Sequence, residues 1–407
     1  MQTNLQKPLR ALHKAELILL CLFAFALPLV EAPKNIFLLL YLAVWIVLCV
    51  RQRNWGTLSC GWDAVFAGVL GAAALSVALS DPYPHKWGEV RDVLCYIALG
   101  WTLARTTLSP RDRLALVATL IAATLVGAAQ GYWHLAQGTK GTLQLHSVGH
   151  VNHSALYAMG TAVLAMALAA CGRTLLSPLW QRVSFAVALV LLAIMISFAS
   201  RGALIAYGLT AVVLIAWLVR HARIRLWPAL LGAAIVAGGM LSMDRSMVVK
   251  TAQNLEAGGY TTAGRVEAAR TAIEYWRQKP ATGVGAANFS AVSPAMVEGW
   301  LKARGEVFVE RNFLFSTHAH SVYFNTLAER GLVGVAALLA LLIMWATALV
   351  KLRPGREASD AHWLGWGAGI AGFGLVFLGG AFNTTLHHEH GMLGMVCLAM
   401  LLGCKRA

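Results

Sequence analysis

Two histidines stand one residue apart in the segment HAHSVYFNTLAERGLVG (318–334), just before an apolar run. Imidazole accepts and releases a proton near neutral pH, so His318 or His320 could act as a general base. If the segment is helical, four residues share one face at helical spacing: His320, Phe324, Leu327 and Gly331. That face would direct the imidazole toward the mouth of a helix bundle. The alternative is an interfacial histidine pair without a chemical role.

A single arginine interrupts the apolar stretch 183–219, in the sequence SFASRGA. One helix of that length would span about 55 Å, whereas the hydrocarbon core of a bilayer is about 30 Å thick. The stretch therefore predicts two spans joined by a tight turn at Ser200, Arg201 and Gly202. At the membrane surface the Arg201 guanidinium could bind a phosphate bidentately. The alternative is an arginine that extends to lipid headgroups.

A second arginine, Arg265, follows Gly264 in the sequence TTAGRVE. Thr261 or Thr262 is a suitable N-cap, and Pro280 ends the helix that we predict over 261–280. Its apolar face is predicted to contain Val266, Ala269, Ile273 and Trp276. The N-terminus of a helix attracts anions, so Arg265 would contribute to a second phosphate site. The alternative is a local pair with Glu267.

Other polar groups suggest weaker possibilities. The sequence HHEH (387–390) adds His387, His388 and His390, but such clusters are more often solvated loop tips than zinc sites. We therefore predict no metal and no cofactor. Lys86 and Arg91 lie near the start of an apolar stretch, with Asp92 beside Arg91. They could line the same pocket and face the bundle interior, and a structural ion pair explains them equally well.

The composition determines what must position these residues. Of the 407 residues, 58% are hydrophobic and 13% are charged, which is typical of a polytopic membrane protein. Runs of roughly 17–25 apolar residues predict about twelve transmembrane helices. They lie near 15–30, 35–50, 61–80, 88–104, 113–134, 151–171, 183–199, 203–219, 226–243, 331–350, 362–380 and 391–403.

We therefore expect an all-α membrane protein with one long external loop. The first nine helices occupy 1–243, the loop occupies 244–317 with a helix near 262–278, and the last three helices occupy 318–407. Long loops usually carry function. The seven cysteines do not lie in the loop, so no disulfide framework is indicated.

The net charge of +15 does not indicate nucleic-acid binding, because the basic residues concentrate in alternate short loops. This asymmetry follows the positive-inside rule. It predicts that both termini are cytoplasmic and that His318, His320, Arg201 and Arg265 face the other side of the membrane.

The order and sidedness of SRGA, of GR at the start of a loop helix, and of HAHSVYFNTLAERGLVG form a recognisable pattern. The chain resembles the O-antigen ligase and Wzy-type polymerase superfamily of bacterial inner-membrane glycosyltransferases, by motif over roughly 180–350 and by topology throughout. The resemblance implies a GT-C-like fold with a periplasmic loop and a metal-independent reaction. It places the essential histidine at His320, with His318 as the second candidate, and the diphosphate-binding arginines at Arg201 and Arg265. Ser321 stands where an asparagine is frequent.

The resemblance further implies a donor and an acceptor. The donor is O-antigen linked to undecaprenyl diphosphate, and the acceptor is a sugar hydroxyl of lipid A-core, attacked with inversion on the periplasmic face. Within the superfamily, a polymerase or a protein O-oligosaccharyltransferase remains an alternative. A lipid-linked glycan flippase is an alternative of another class, but it would place charges along the span midplanes, whereas these charges gather at one membrane face.

Overall fold

The computed structural model describes residues 2–170, 174–224, 234, 235, 238 and 264–406. This part of the chain is helical, without β-strands. The predicted span at 226–243 and the start of the long loop lie outside the described residues. Thirteen α-helices are described: α1 Gln2–Ala26, α2 Glu31–Gln52, α3 Cys60–Ala78, α4 Trp87–Arg105, α5 Pro110–Ala136, α6 Val151–Ala170, α7 Pro178–Ser197, α8 Arg201–Arg220, α9 Gly264–Gln278, α10 Pro294–Ala303, α11 Val322–Lys351, α12 Asp360–Phe373 and α13 His388–Leu402.

Eight of the described helices are long and apolar enough to cross a membrane: α2, α3, α5, α6, α7, α8, α11, and α12 extended to Ala381. The chain is therefore a polytopic membrane protein, and the predicted number of twelve spans is not reached by this measure. The helices α1 and α4 are present but carry several charged residues each. The last predicted span, at 391–403, corresponds to α13, a shorter apolar helix of 15 residues.

The bundle is built around α6, α12 and α13, which are buried on nearly all sides. A helix that is apolar all round belongs inside a bundle, and small residues let its neighbours approach closely. A Cβ atom added to Gly367 would lie 2.5 Å from Cβ of Ala167, and one added to Gly372 would lie 2.5 Å from Cβ of Cys397. The helices α2, α7 and α11 lie at the periphery, with about a third of their apolar stretch buried (33% each).

The predicted tight turn between two spans is present, one or two residues earlier than expected. The helix α7 ends at Ser197, Ala199 has a positive φ of 52°, and α8 begins at Arg201 with Ser200 as its N-cap residue. Arg201 therefore stands in the first turn of α8.

The described part of the loop and the four residues after it, 264–321 in all, form a compact unit that we call the cap. It has its own apolar core, contributed by both cap helices and their connections, which includes Tyr275, Phe289, Val297 and Leu301. The predicted cap helix corresponds to α9, but its predicted N-cap residues lie outside the described residues. The predicted apolar face is wrong: Ala268, Ala272 and Tyr275 are buried, whereas Val266 is 56% exposed.

The cap is attached to the bundle at two places. At the first, the Lys279 Nζ donates to the backbone carbonyl of Leu79 (2.7 Å), and the Asn288 amide donates to that of Pro84 (2.8 Å). At the second, the backbone N–H of Leu332 donates to the carbonyl of Pro280 (2.9 Å) where α11 is broken at Gly331. We call this end of the bundle the cap end.

Candidate active site at the cap end

The two histidines of the HAH segment lie side by side at the start of α11. Their ring centroids are 4.4 Å apart. The helix begins only at Val322, with Ser321 as its N-cap residue, and His320 has a left-handed φ of 52°. The predicted shared helical face of His320, Phe324, Leu327 and Gly331 is therefore wrong, because His320 precedes the helix and Gly331 breaks it.

A chain of hydrogen bonds holds the backbone between the two histidines. The Ala319 N–H donates to Asn325 Oδ1 (3.0 Å), and Asn325 Nδ2 donates to Glu329 Oε2 (3.0 Å). The other oxygen of Glu329 accepts from the Phe289 N–H of the cap (3.2 Å). Glu329 is only 4% exposed, and a buried carboxylate needs such donors. The network therefore joins the histidine segment, α11 and the cap.

Asn325→Ala is expected to lower the free energy of unfolding by about 1–3 kcal/mol, because it leaves the buried Ala319 N–H without its acceptor and removes one donor to Glu329. Thermal unfolding in detergent measures the change. Gln144→Ala is the control, since its amide makes an exposed bond to Thr142 and its loss should cost less than about 0.5 kcal/mol. Equal destabilisation by the two variants would contradict the structural role of the network.

Histidines from two other segments, at the start of α6 and at the start of α13, lie around His318. His153, in the first turn of α6, lies 5.8 Å from His318 and 5.1 Å from His390 between ring centroids. One of its neighbours, His150, lies 6.4 Å away. We call His150, His153, His318, His320, His387, His388 and His390 the histidine cluster. Sequence reasoning missed His150 and His153, although their spacing of three residues at the start of an apolar helix was a usable signal.

Two members of the histidine cluster, His318 and His387, carry little positive charge near neutral pH. Burial, reinforced by His320 and His150, lowers the pKa of His318 to about 4. Burial and the neighbouring His388 and His390 lower the pKa of His387 to about 3. Within the described ranges, no three His, Cys, Asp or Glu side chains form a group suited to a metal ion.

The acidic residue of HHEH has a structural partner. Glu389 is buried in an ion pair with Lys34 of α2. Ser147 Oγ donates to Glu389 Oε1 (2.9 Å), and Lys34 Nζ donates to Ser147 Oγ (3.3 Å). A buried charge is tolerated when it is paired and hydrogen-bonded in this way. Glu389 therefore connects α13 to α2 and to the loop before α6.

Arg265 lies in the first turn of α9, as predicted, and contacts Phe382, which lies in the connection between α12 and α13. Its guanidinium carbon is 5.3 Å from the centroid of the Phe382 ring, a distance typical of a cation–π contact. Partial burial lowers the pKa of Arg265. Burial also lowers the pKa of His320, and the charge of Arg265 lowers it further. The structure therefore brings Arg265 and His320 close enough to interact electrostatically.

Phe382 also connects Arg201 to this region. A Cβ atom added to Gly202, the residue after Arg201, would lie 2.6 Å from Cβ of Phe382. The first turn of α8 and the first turn of α9 thus contact the same aromatic residue. The part of α12 that leads to Phe382 departs from α-helical geometry, with a π-helical segment at Gly374–Leu378, a feature frequent at functional sites.

Lys86 and Arg91 occupy other positions. Lys86 Nζ donates to the Ala287 carbonyl (2.8 Å) and so helps to hold the cap on the bundle. The side chain of Arg91 is 72% exposed and pairs with Asp92 (2.8 Å). Arg91 was expected to face the bundle interior, but it lies at the surface, where Asp92 neutralises its charge.

A cavity of about 330 Å³, lined by both polar and apolar groups, opens beside His318. Its lining includes His153, His318 and His387 on one side and Asn325, Glu329 and Arg330 on another, together with Glu89 of α4. Arg330 NH2 is 3.3 Å from Glu89 Oε1, and both side chains are nearly buried. A larger cavity of about 670 Å³ lies at the opposite end of the bundle, around Glu16 and Arg105. Sequence reasoning missed Glu89, Glu329 and Arg330, although AERG stands within the segment that it singled out.

The fold and the cap-end residues together define a polytopic membrane protein with arginines and histidines gathered at one end of its bundle. Residues 185–339 match the model of a protein family described as O-antigen ligase. This segment, less than half of the chain, contains Arg201, Arg265, His318 and His320, and the match confirms the resemblance to the O-antigen ligase and Wzy-type polymerase superfamily. No curated protein matches the chain.

Proposed function

We propose that the protein is an O-antigen ligase of the bacterial inner membrane, which transfers a glycan from undecaprenyl diphosphate to a sugar hydroxyl of lipid A-core. The observation that carries the proposal is that Arg201, Arg265 and the histidine pair lie at one end of a membrane bundle, where Arg265 contacts Phe382 and its charge lowers the pKa of His320. The family match over 185–339 covers both residues.

The reaction assigns a role to each group. Arg201 and Arg265 bind the diphosphate of the donor and stabilise the negative charge that develops on it as the anomeric carbon–oxygen bond breaks. His320 accepts the proton of the acceptor hydroxyl while its oxygen forms a bond to the anomeric carbon from the opposite face, which inverts the configuration. The diphosphate leaves with the bonding electrons as an anion, so a general acid and a metal ion are unnecessary.

Donor binding would also change the pKa of His320. In the free protein, burial and the positive charge of Arg265 keep the pKa of His320 below its ordinary value of 6.5. A bound diphosphate compensates that positive charge and raises the pKa again. The imidazole then becomes a stronger base when the donor is in place.

The proposed orientation puts the cap end in the periplasm and both termini in the cytoplasm. The alternation of basic loops supports this orientation, because basic residues concentrate in the cytoplasmic loops of membrane proteins. The cap and the histidine segment lie on the side opposite to the basic loops. Transmembrane topology can be measured with reporter fusions at the termini and in the cap.

Reconstitution of the purified protein with lipid-linked O-antigen and lipid A-core, in the presence of EDTA, tests the activity directly. We expect a slower-migrating lipopolysaccharide on a gel. Elongation of the donor glycan without lipid A-core would instead identify a polymerase, and transfer to a serine or threonine would identify a protein O-oligosaccharyltransferase. Movement of the donor between leaflets without transfer would identify a flippase.

Arg265→Ala is expected to weaken binding of the diphosphate-linked donor about 10- to 100-fold, the usual effect of losing hydrogen bonds to a charged group. Arg270→Ala is the matched control: it removes an exposed arginine from the same helix and should change the donor Kd less than about threefold. Binding of a labelled donor to protein in nanodiscs gives the Kd. Equal losses for the two variants would show general attraction to a basic cap instead of a specific site.

A further inference from the structure

We propose that the cavity beside His318 binds the terminal sugar of the acceptor, with Glu89, Glu329 and Arg330 as the groups that recognise its hydroxyls. This inference rests on the proposed transfer reaction and extends it by assigning the acceptor a place. The cavity of about 330 Å³ lies near the lower end of the range of about 300–1,000 Å³ for ligand pockets, which suits a terminal sugar better than a lipid or a long glycan.

The position of the cavity separates it from the arginines. The connection between α12 and α13 has two sides: Phe382 contacts Arg265 and Gly202, whereas Thr384, Leu386 and His387 line the cavity. His318 also lines the cavity, and its ring is 4.4 Å from that of His320. The cavity and Arg265 are therefore separate places, and a sugar in the cavity would reach the histidine pair through His318.

The polar groups of the cavity indicate what it binds. Two carboxyl groups, Glu89 and Glu329, lie with one guanidinium, Arg330. The guanidinium is already paired with Glu89 and so offers little to a diphosphate, whereas sugar hydroxyls donate hydrogen bonds to carboxyl oxygens. A carboxylate accepts up to about four hydrogen bonds. Glu329 accepts from Phe289 and Asn325, and Glu89 accepts from Arg330, so both retain capacity for a hydroxyl.

The walls of the cavity are rigid enough to orient a ligand. Glu329 is held by the network that also fixes the Ala319 N–H. Glu89 and Arg330 restrain each other at 3.3 Å, with 12% and 11% of their side chains exposed. Groups held in advance lose little conformational entropy when the ligand binds.

The first test is the kinetics of Glu89→Gln, a change that keeps shape and removes charge. We expect the KM for lipid A-core to rise about tenfold or more and the KM for the donor to stay within about twofold. Glu298→Gln is the control, because Glu298 is a partly exposed cap residue paired with Lys302 (2.8 Å), and neither constant should change. An unchanged KM for lipid A-core, or a rise in the KM for the donor alone, would overturn the inference.

The second test does not depend on turnover. Ser290 lines the cavity and is exposed, so Ser290→Cys should react with a hydrophilic thiol reagent. The labelling of the unaltered protein, which has cysteines of its own, is subtracted as background. Lipid A-core should slow this labelling, whereas the diphosphate-linked donor and lipid A without core sugars should not. Protection by the donor alone, or by neither lipid, would refute the acceptor site. If lipid A-core slows the labelling but no glycan is transferred, the sugar site stands and only the proposed transfer reaction is wrong.

Discussion

His320→Ala is expected to lower the rate of glycan transfer by about 10²- to 10⁴-fold, the usual contribution of a general base. Binding of the diphosphate-linked donor should stay within about threefold, because Arg201 and Arg265 are unaltered. Single-turnover transfer with saturating donor measures the chemical step, and labelled donor measures binding.

The backbone at His320 calls for a second variant. Its φ is 52°, a conformation that asparagine tolerates better than alanine does. His320→Asn should therefore keep the fold and still lack the base. His318→Gln serves as the comparison, since it removes the neighbouring ring, which lines the acceptor cavity, and leaves His320 in place. Near-normal single-turnover rates for His320→Asn, or a larger loss for His318→Gln, would assign the base to another residue.

The pH dependence of transfer gives an independent reading of the same group. Burial and Arg265 lower the pKa of His320 below 6.5, so its imidazole stays unprotonated, and able to act as a base, to a lower pH than usual. With subsaturating donor, which reports on the free protein, the rate should fall on acidification with a midpoint below 6.5. Arg265→Ala should move this midpoint upward. His318, with a pKa of about 4, should remain neutral over the pH range in which His320 is titrated. A midpoint above 6.5, or no movement in Arg265→Ala, would contradict this environment for the base.

Gly331→Ala is expected to have the largest effect on stability, about 3 kcal/mol or more. Gly331 has φ 60° and ψ −158°, a region occupied almost only by glycine. A Cβ atom there would lie 2.4 Å from the backbone of Ala281, a clash that requires the cap to separate from α11. Thermal unfolding in detergent and the yield of monodisperse protein measure the effect.

Gly299→Ala is the matched control for that prediction. Gly299 lies within α10, and a Cβ atom there would meet nothing within 4 Å. Alanine favours a helix by about 1 kcal/mol relative to glycine, so Gly299→Ala should be neutral or stabilising. If Gly331→Ala unfolds at the same temperature as the unaltered protein, the break in α11 is not required for the cap to dock.

The order of helices and several local features could be predicted from the sequence because they depend on short-range patterns. Hydropathy predicted the two spans on either side of Ala199, since one helix would have been too long for a bilayer. A threonine as N-cap residue, the spacing of apolar residues and Pro280 predicted α9, with Arg265 in its first turn. These signals operate within about one or two helical turns and do not require a partner.

The buried side of α9 shows where such patterns fail. Val266 appeared to belong to an apolar stripe, yet it is 56% exposed, and the cap core takes Ala268, Ala272 and Tyr275 instead. The cap packs small residues and one tyrosine against α10 and the start of α11. Which face is buried depended on the shape of the opposing surface, which local hydropathy does not contain.

By itself, then, the sequence determined that the chain spans a membrane, that α7 and α8 are joined by a tight turn near Arg201, and that Arg265 lies in the first turn of a helix. Only the tertiary structure decided that histidines from α6, the cap and the start of α13 surround His318, that Asn325 and Glu329 hold the turn of His320, and that Glu89 meets Arg330. Hydrophobic periodicity describes a few turns of one helix. These contacts instead join distant parts of the chain, and Glu89 and Arg330 are more than two hundred positions apart. Only the packing of the whole bundle brings such residues together.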